Sequence, residues 1–548
     1  MTLNRRQFGA LMAAPLALGL PGRAAAGAAR PLAFGLAPVN DWATQQPFLD
    51  VFKTARRWIG HLPKQWGGVD FATLEARGLL DAQGWPKTIP GDLGSIGTVI
   101  LTDMPEAADL AGRYLLRFDG TGIVEVSGRA TNKRYGEGEV AFDYAPGPGP
   151  VEIRIQRSDP RGAGDHVRNI RVTREADRAA LESGALFRPG FLDMLRGAKC
   201  LRFMDWMNTN DSGQGDWSAR PRVSDFSYTR YGVPVEVMLA LANTLESDAW
   251  FNMPHLADDA YLTGFARMVK DGLAPGLKAH VEYSNEMWNW QFLQTEWADA
   301  KAFERWGEKD RGAQFHGMRA AEAAQAWARV FQGGDRARLV NVIATQTGWL
   351  GLERHILTAP LYTAEAPGNR PPAEAFDAYA VAGYFGHFLG TKPGARMVHE
   401  WLREGRAGGE AEAFAFATQR AAAELRDGAI SGDPEGSVAD LIGRILPYHA
   451  EVAKRHGLDL IMYEGGSHVV GTGPRLDDDE LTAFFIHLNY SPQMGALYNK
   501  LLDGWSGLTG GVFNHYADMQ APGKWGSWGA LRWPGDDNPR WQALARLK

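Results

Sequence analysis

The sequence predicts a (β/α)8 barrel with an inserted small antiparallel β domain, on three observations. Apolar strands alternate with long helical stretches from Phe187 onward, the pattern of a parallel sheet with right-handed crossovers. Seven strands fall in that stretch, and one more lies at Pro31–Val39, which completes eight units. Between 79 and 175 the pattern changes to short alternating runs broken by Gly and Pro, as an antiparallel domain requires.

Taken in order, residues 1–29 read as an address. Asn4-Arg5-Arg6-Gln7-Phe8 is a twin-arginine pattern, followed by a weakly apolar run from Gly9 to Leu20 and the small residues Ala24-Ala25-Ala26. The run is too short to span a membrane. It implies a bacterial protein folded before export, periplasmic or secreted, with a mature start near 27–30 and no stable membrane insertion afterwards. Residues 30–78 hold the first strand and a helix over 48–59, from apolar Phe48, Val51, Phe52, Ala55 and Ile59. The insertion, 79–175, is β-sandwich-like, with runs such as Tyr114–Phe118 and Val151–Ile155 and turns at Asp119-Gly120 and Pro146-Gly147.

The remainder of the barrel, 176–548, supplies strands at Cys200–Asp205, Ala249–Met253, Lys278–Ser284, Leu339–Thr345, Ala378–Tyr384, Leu460–Glu464 and Gly511–His515. Helices are expected over Asp258–Leu273, Gln291–Trp306, Gln314–Phe331, Ser437–Arg455 and Glu480–Asp503, with a solvated Ala-rich helical region at 407–423.

Composition narrows the function. The chain has 548 residues, 45% hydrophobic and 22% charged, and a net charge of −6, a soluble globular balance with no basic strip for nucleic acid. The single cysteine, Cys200, rules out an internal disulfide and a cysteine-based metal site. No His-x-His or His-Glu-x-x-His supports a metal, no Gly-x-Ser-x-Gly supports an esterase, and no cofactor motif is present. The run Asp477–Glu480 suits a helix N-terminus and lacks calcium-loop spacing.

Two glutamates carry the chemistry. Glu286 follows the strand Ala279-His280-Val281-Glu282-Tyr283, and Glu464 closes Leu460-Ile461-Met462-Tyr463. Barrel enzymes keep their chemistry at the carboxyl ends of strands, here the fourth and the seventh. Two carboxylates delivered into one cleft suit glycoside hydrolysis, at ~5–5.5 Å separation for retention and ~6.5–9.5 Å for inversion. Glu286, beside Tyr283, Met287 and Trp288, has apolar company that favours an acid. Glu282 shares its strand parity and reads as a structural carboxylate deeper in the strand.

Further candidates line up at strand ends. Asp205 and Trp206, with Asn208 and Asn210, end strand two and suit sugar hydroxyls or turn chemistry. Asn514, His515 and Tyr516 end strand eight, with Trp525 and Trp528 beyond, as a subsite wall or as loop packing. His387 follows the sixth strand as a substrate contact or a loop histidine. Of the 19 Trp, Trp206, Trp217, Trp288, Trp290, Trp525 and Trp528 are the candidates for stacking on sugar faces.

Asn285-Glu286 closing the fourth strand and Glu464 ending the seventh resemble clan A, the (β/α)8 retaining glycoside hydrolases. The resemblance implies that Asn285 bonds a sugar 2-hydroxyl, Glu286 is the acid/base and Glu464 the nucleophile. It also implies that Arg202 orients Glu464 and that Tyr384 hydrogen-bonds it, polar company expected to keep that nucleophile ionised. The expected activity is cleavage of a β-linked polysaccharide or oligosaccharide. A carbohydrate-binding or matrix protein without turnover, and a transglycosidase, are the alternatives.

Overall fold

The computed structural model describes residues 31–548. The export signal expected over 1–29 and the expected mature start lie outside the described residues. Eight parallel strands form a nearly closed barrel: β1 Leu32–Gly35, β2 Cys200–Arg202, β3 Asp248–Met253, β4 Ala279–Tyr283, β5 Leu339–Ala344, β6 Ala378–Phe385, β7 Asp459–Ser467 and β8 Phe513–Tyr516. From β1 to β7 each strand pairs with the next in chain order, and β8 pairs with β1, with Leu32 opposite Phe513. At the remaining seam Met462 N donates to Val512 O at 3.0 Å.

Strand parity sorts the side chains. Leu201, Phe251 and Val281 point outward under the helices, where Trp327 of the helix Gly312–Val330 stacks on Phe251. Cys200, Trp250, Ala380 and Ile461 fill the interior, mostly with small residues around one indole. Two residues further along, the same parity delivers Arg202, Asn252 and Glu282 to the top of the interior.

The inserted region holds two antiparallel sheets. One orders Arg168–Arg174, Gly112–Asp119, Glu139–Tyr144 and Thr131–Gly136; the other orders Gly68–Val69, Ile59–His61, Ser95–Ile100, Val151–Ser158 and Gly122–Gly128. They share a core that includes Trp58, Ile96, Leu116, Phe142 and Ile153. Residues 59–78, expected with the first barrel unit, therefore lie with the antiparallel region.

The helix expected over 48–59 does not form. Its residues give a bridge from Phe48 to Phe187, a single turn at Val51–Thr54 and the strand Ile59–His61. Phe48 packs on Trp206 and Tyr228, whereas Phe52 packs on Trp58 and Trp85. The segment is buried on several sides between barrel and insertion, so helical spacing did not mark one amphipathic face.

Two helices differ by proline. The stretch expected over Glu480–Asp503 splits into Asp479–Asn489 and Pro492–Leu508, where Ser491 caps the second helix by accepting from Met494 N. Ser437–Arg455 contains a π turn at Leu441–Ile445, just before Pro447, which has no N–H to give. The Ala-rich helix Glu410–Asp427 buries Ala413, Ala417, Ala421 and Leu425, so it is solvated on one side only.

Candidate active site

Arg202 organises the top of the barrel. Its guanidinium is fully buried and forks to three partners. Nε and Nη2 donate to Glu282 Oε2 at 3.3 and 3.0 Å, Nη2 also to Asn285 Oδ1 at 2.9 Å, and Nη1 to Glu464 Oε1 at 2.7 Å. Glu282 Oε2 further accepts from Trp250 Nε1 at 3.0 Å and Asn252 Nδ2 at 2.8 Å. Glu282 is thus a structural carboxylate that anchors Arg202, as its depth in β4 implied.

Glu464 reaches the cleft through a bulge. Met462 pairs with Val381 and Glu464 with Ala382, so Tyr463 is an extra residue in β7. In a regular strand Tyr463 and Glu464 would face opposite ways; the bulge turns both to the barrel mouth. Tyr384 donates its hydroxyl to Glu464 Oε2 at 3.0 Å. Tyr463 donates its hydroxyl to Glu286 Oε1, and Asn289 Nδ2 donates to Glu286 Oε2, each at 2.9 Å.

Glu286 sits on a tight turn after β4. Ser284 and Glu286 have φ of 62° and 41°, left-handed values that cost non-glycine residues ~1–3 kcal/mol each. The turn is held by Ser284 N donating to Met253 O at 2.7 Å and by Asn252 Nδ2 donating to Ser284 O at 2.9 Å. Asn285 between them spends both ends of its amide inside the protein, on Arg202 and on Asn210 Oδ1 at 3.1 Å.

Glu286 and Glu464 line one cleft of about 800 Å3 at the carboxyl ends of the strands. Asn285, Tyr384, His387 and Trp528 line it as well. Asp205 stands behind that lining, where its Oδ2 accepts from the Tyr516 hydroxyl at 2.9 Å. Trp288 stands behind Tyr463, packed on it and on His316.

Six expected contacts are corrected. Trp206 is fully buried among Phe48, Phe191 and Phe203, because the chain turns back into the core after β2 stops at Arg202. His515 points outward from β8, where it pairs with the Tyr498 hydroxyl at 3.0 Å, while Asn514 and Tyr516 point inward by parity. Asn514 is fully buried below the mouth, donating to the Tyr463 carbonyl. Trp525 is 69% exposed and absent from the cleft lining, its carbonyl accepting from Trp528 Nε1. Trp217 packs on Tyr261 and Phe265, and Trp290 is exposed, so neither joins the lining.

Electrostatics run against one expectation. Polar company was expected to keep Glu464 ionised. Instead, burial pushes its carboxyl up to about 8, against the pull of Arg202 and with a further push from Glu286. Arg202 shares one positive charge between Glu282 and Glu464, so it offsets neither fully. Burial likewise raises Asp205 to about 6. Tyr384, Tyr463 and Tyr516 are pushed well above their usual range by burial and by these carboxylates, which keeps them as neutral donors.

Sequence reasoning passed over the bulge residue Tyr463 as a partner of Glu286, and His468, Asp440 and Arg444, which also line the cleft. Tyr463 stood inside the motif, but a bulge has no sequence mark of its own. Among the described residues no group of three or more His, Cys, Asp or Glu is placed to hold a metal ion.

No family model matches the chain, and no curated protein matches it. Among solved structures it is similar to a glycoside hydrolase family 5 mannosidase from Rhizomucor miehei, a mutant in complex with mannosyl-fructose. That match has 13% identity, covers 68% of this chain and 87% of the other, and has a TM-score of 0.23. A likeness at that score carries no argument about the site; the barrel stands on its own strand order.

Proposed function

We propose that the chain is an exported glycoside hydrolase that cleaves a β-linked glycan with retention of configuration. The observation that carries this reading is the pairing of unlike carboxylates in one cleft. Glu464 rests on a guanidinium and a phenol, whereas Glu286 rests on a phenol and an amide with no cation.

Glu464 attacks the anomeric carbon while Glu286 gives its proton to the leaving oxygen. Glu286 then takes a proton from water as that water displaces Glu464 from the sugar. Arg202 and Tyr384 stabilise the carboxylate of Glu464 before attack and after release. Burial pushes the Glu464 carboxyl up to about 8, so its proton must leave before attack, and the Arg202 guanidinium is the group that favours that loss. The twin-arginine pattern at Arg5-Arg6 supports export.

The test is reducing-sugar release from β-glucans, xylans, mannans, galactans and arabinans, with the product anomer followed by NMR. Release of the β-anomer from a β-linked polymer is the expected result. Release of the α-anomer overturns retention, and turnover that survives Glu464→Ala overturns the nucleophile.

A further inference from the structure

His387 and His468 meet in the cleft lining, with their Nδ1 atoms 3.3 Å apart and ring centroids 5.0 Å apart. With both rings neutral, one proton lies between the two Nδ1 atoms, so the ring that donates from Nδ1 keeps an unprotonated Nε2 and the ring that accepts at Nδ1 carries its proton on Nε2. Among the described residues neither Nε2 has a protein partner. The pair presents one donor and one acceptor together. Burial pushes His468 down to about 4, which keeps it neutral, and Tyr384 and Trp528 pack on its ring.

A donor beside an acceptor matches sugar hydroxyls, each of which both gives and takes a hydrogen bond. A carboxylate only accepts, so it would leave the bare Nε2 facing a second acceptor. The rest of the lining agrees. Glu286, Glu435, Asp440 and Glu464 supply carboxyl groups. Arg444, the only Lys or Arg among the described lining residues, is held by both oxygens of Asp440 at 2.6 and 2.8 Å. Asn289, Gln291, Gln346 and Thr347 add uncharged polar groups. A uronic acid would bring negative charge into a cleft whose one described Arg is already paired with Asp440.

We propose that this cleft takes an uncharged glycan, and that His387 and His468 act as one unit that reads neighbouring hydroxyls of the sugar beside Tyr384 and Trp528. The inference rests on the glycoside hydrolase reading for its ligand class, but not on turnover.

The experiment is affinity electrophoresis of the chain carrying Glu464→Gln, which binds without consuming its ligand. The probes are β-glucan, mannan, galactan and arabinan, C6-carboxylated forms of the first three, and chitosan. We expect a neutral polymer to be retained and its carboxylated form to be held about tenfold more weakly or worse, the loss of one or two hydrogen bonds. His387→Ala, at an exposed position, is expected to weaken the neutral polymer by about the same factor. Adding His468→Ala should cost little more, because either ring alone loses the fixed tautomer. Equal retention of a carboxylated polymer, preference for chitosan, no retention at all, or two histidine losses that simply add would each overturn the proposal. Turnover by the unmutated chain separates the two readings. Retention of a neutral polymer without cleavage sinks the hydrolase and leaves the neutral-glycan site standing; cleavage of a carboxylated polymer does the reverse.

Discussion

β7 and the turn after β4 each deliver a glutamate to the same cleft, and they do so by opposite means. Glu464 sits in a bulged strand, buried, on a guanidinium already shared with Glu282. Glu286 sits half-buried on a left-handed turn, among neutral donors. The difference matches what the proposed roles demand. A nucleophile benefits from a fixed positive partner that stabilises its charge. An acid/base must change charge twice in each turnover, and a cation beside it would resist one of those changes.

The largest effect tests that division directly. Glu464→Ala is expected to lower kcat by ~10^4-fold or more on every substrate, the scale seen when a group central to the chemistry is removed. Added azide should restore turnover by attacking the vacated face, giving an α-glycosyl azide from a β-glycoside. A β-glycosyl azide would exchange the two roles.

Glu286→Ala comes next, and its loss should depend on the leaving group. Sugar leaving groups are expected to lose ~10^3-fold, within the usual range for general acid catalysis, while an activated aryl glycoside loses far less at the glycosylation step. A pH effect accompanies it. Glu286 raises the Glu464 carboxyl, so removing it lowers that carboxyl. The acid limb of the residual activity should move to lower pH. A limb that stays in place would mean the two carboxylates do not sense each other.

A third buried carboxylate sharpens the contrast, because no cation holds it. Asp518 accepts from Ala37 N at 2.8 Å and from Gln45 Nε2, and burial pushes it up to about 7. Gln45 Oε1 has no partner, so an amide flip lets it accept from a protonated Asp518. The folded state binds this proton more tightly than the unfolded one. Its contribution is therefore fully present below about pH 4 and is lost as pH rises to about 7, a few kcal/mol at most. Asp518→Asn should flatten that part of the denaturation midpoint against pH. An unchanged slope would assign the pH dependence to other groups.

The barrel was legible because parallel strands buried on both faces leave apolar runs, and their strand-to-helix spacing survives in sequence. Both glutamates were legible because each follows an apolar strand, whereas Arg202, inside the strand expected to run to Asp205, was named only through the resemblance. Trp206 and His515 misled for one reason: residues near a strand end take either side by parity, and the strand's true last residue is not marked. The segment 48–59 misled because packing against two bodies imitates helical spacing. The His387–His468 pair joins loops far apart in the chain, which no local pattern reports.

The smallest effect probes the charge that links the two sides. Glu282 takes two of the bonds made by Arg202 and lies outside the cleft lining, so it does not meet substrate. Glu282→Gln keeps an acceptor for Arg202, Trp250 and Asn252 while removing one negative charge from the interior. The guanidinium is then less divided, and its pull on Glu464 grows. Since Arg202 lowers the Glu464 carboxyl, that carboxyl should release its proton at lower pH. The acid limb of the kcat/KM profile is expected to shift toward acid by up to about one pH unit, equivalent to ~1.4 kcal/mol, with the maximum rate reduced by about tenfold or less. A drop in rate with an unmoved acid limb would make Glu282 a packing residue only. A shift of that limb would show that the strand carrying the acid also sets, through Arg202, the charge on the nucleophile.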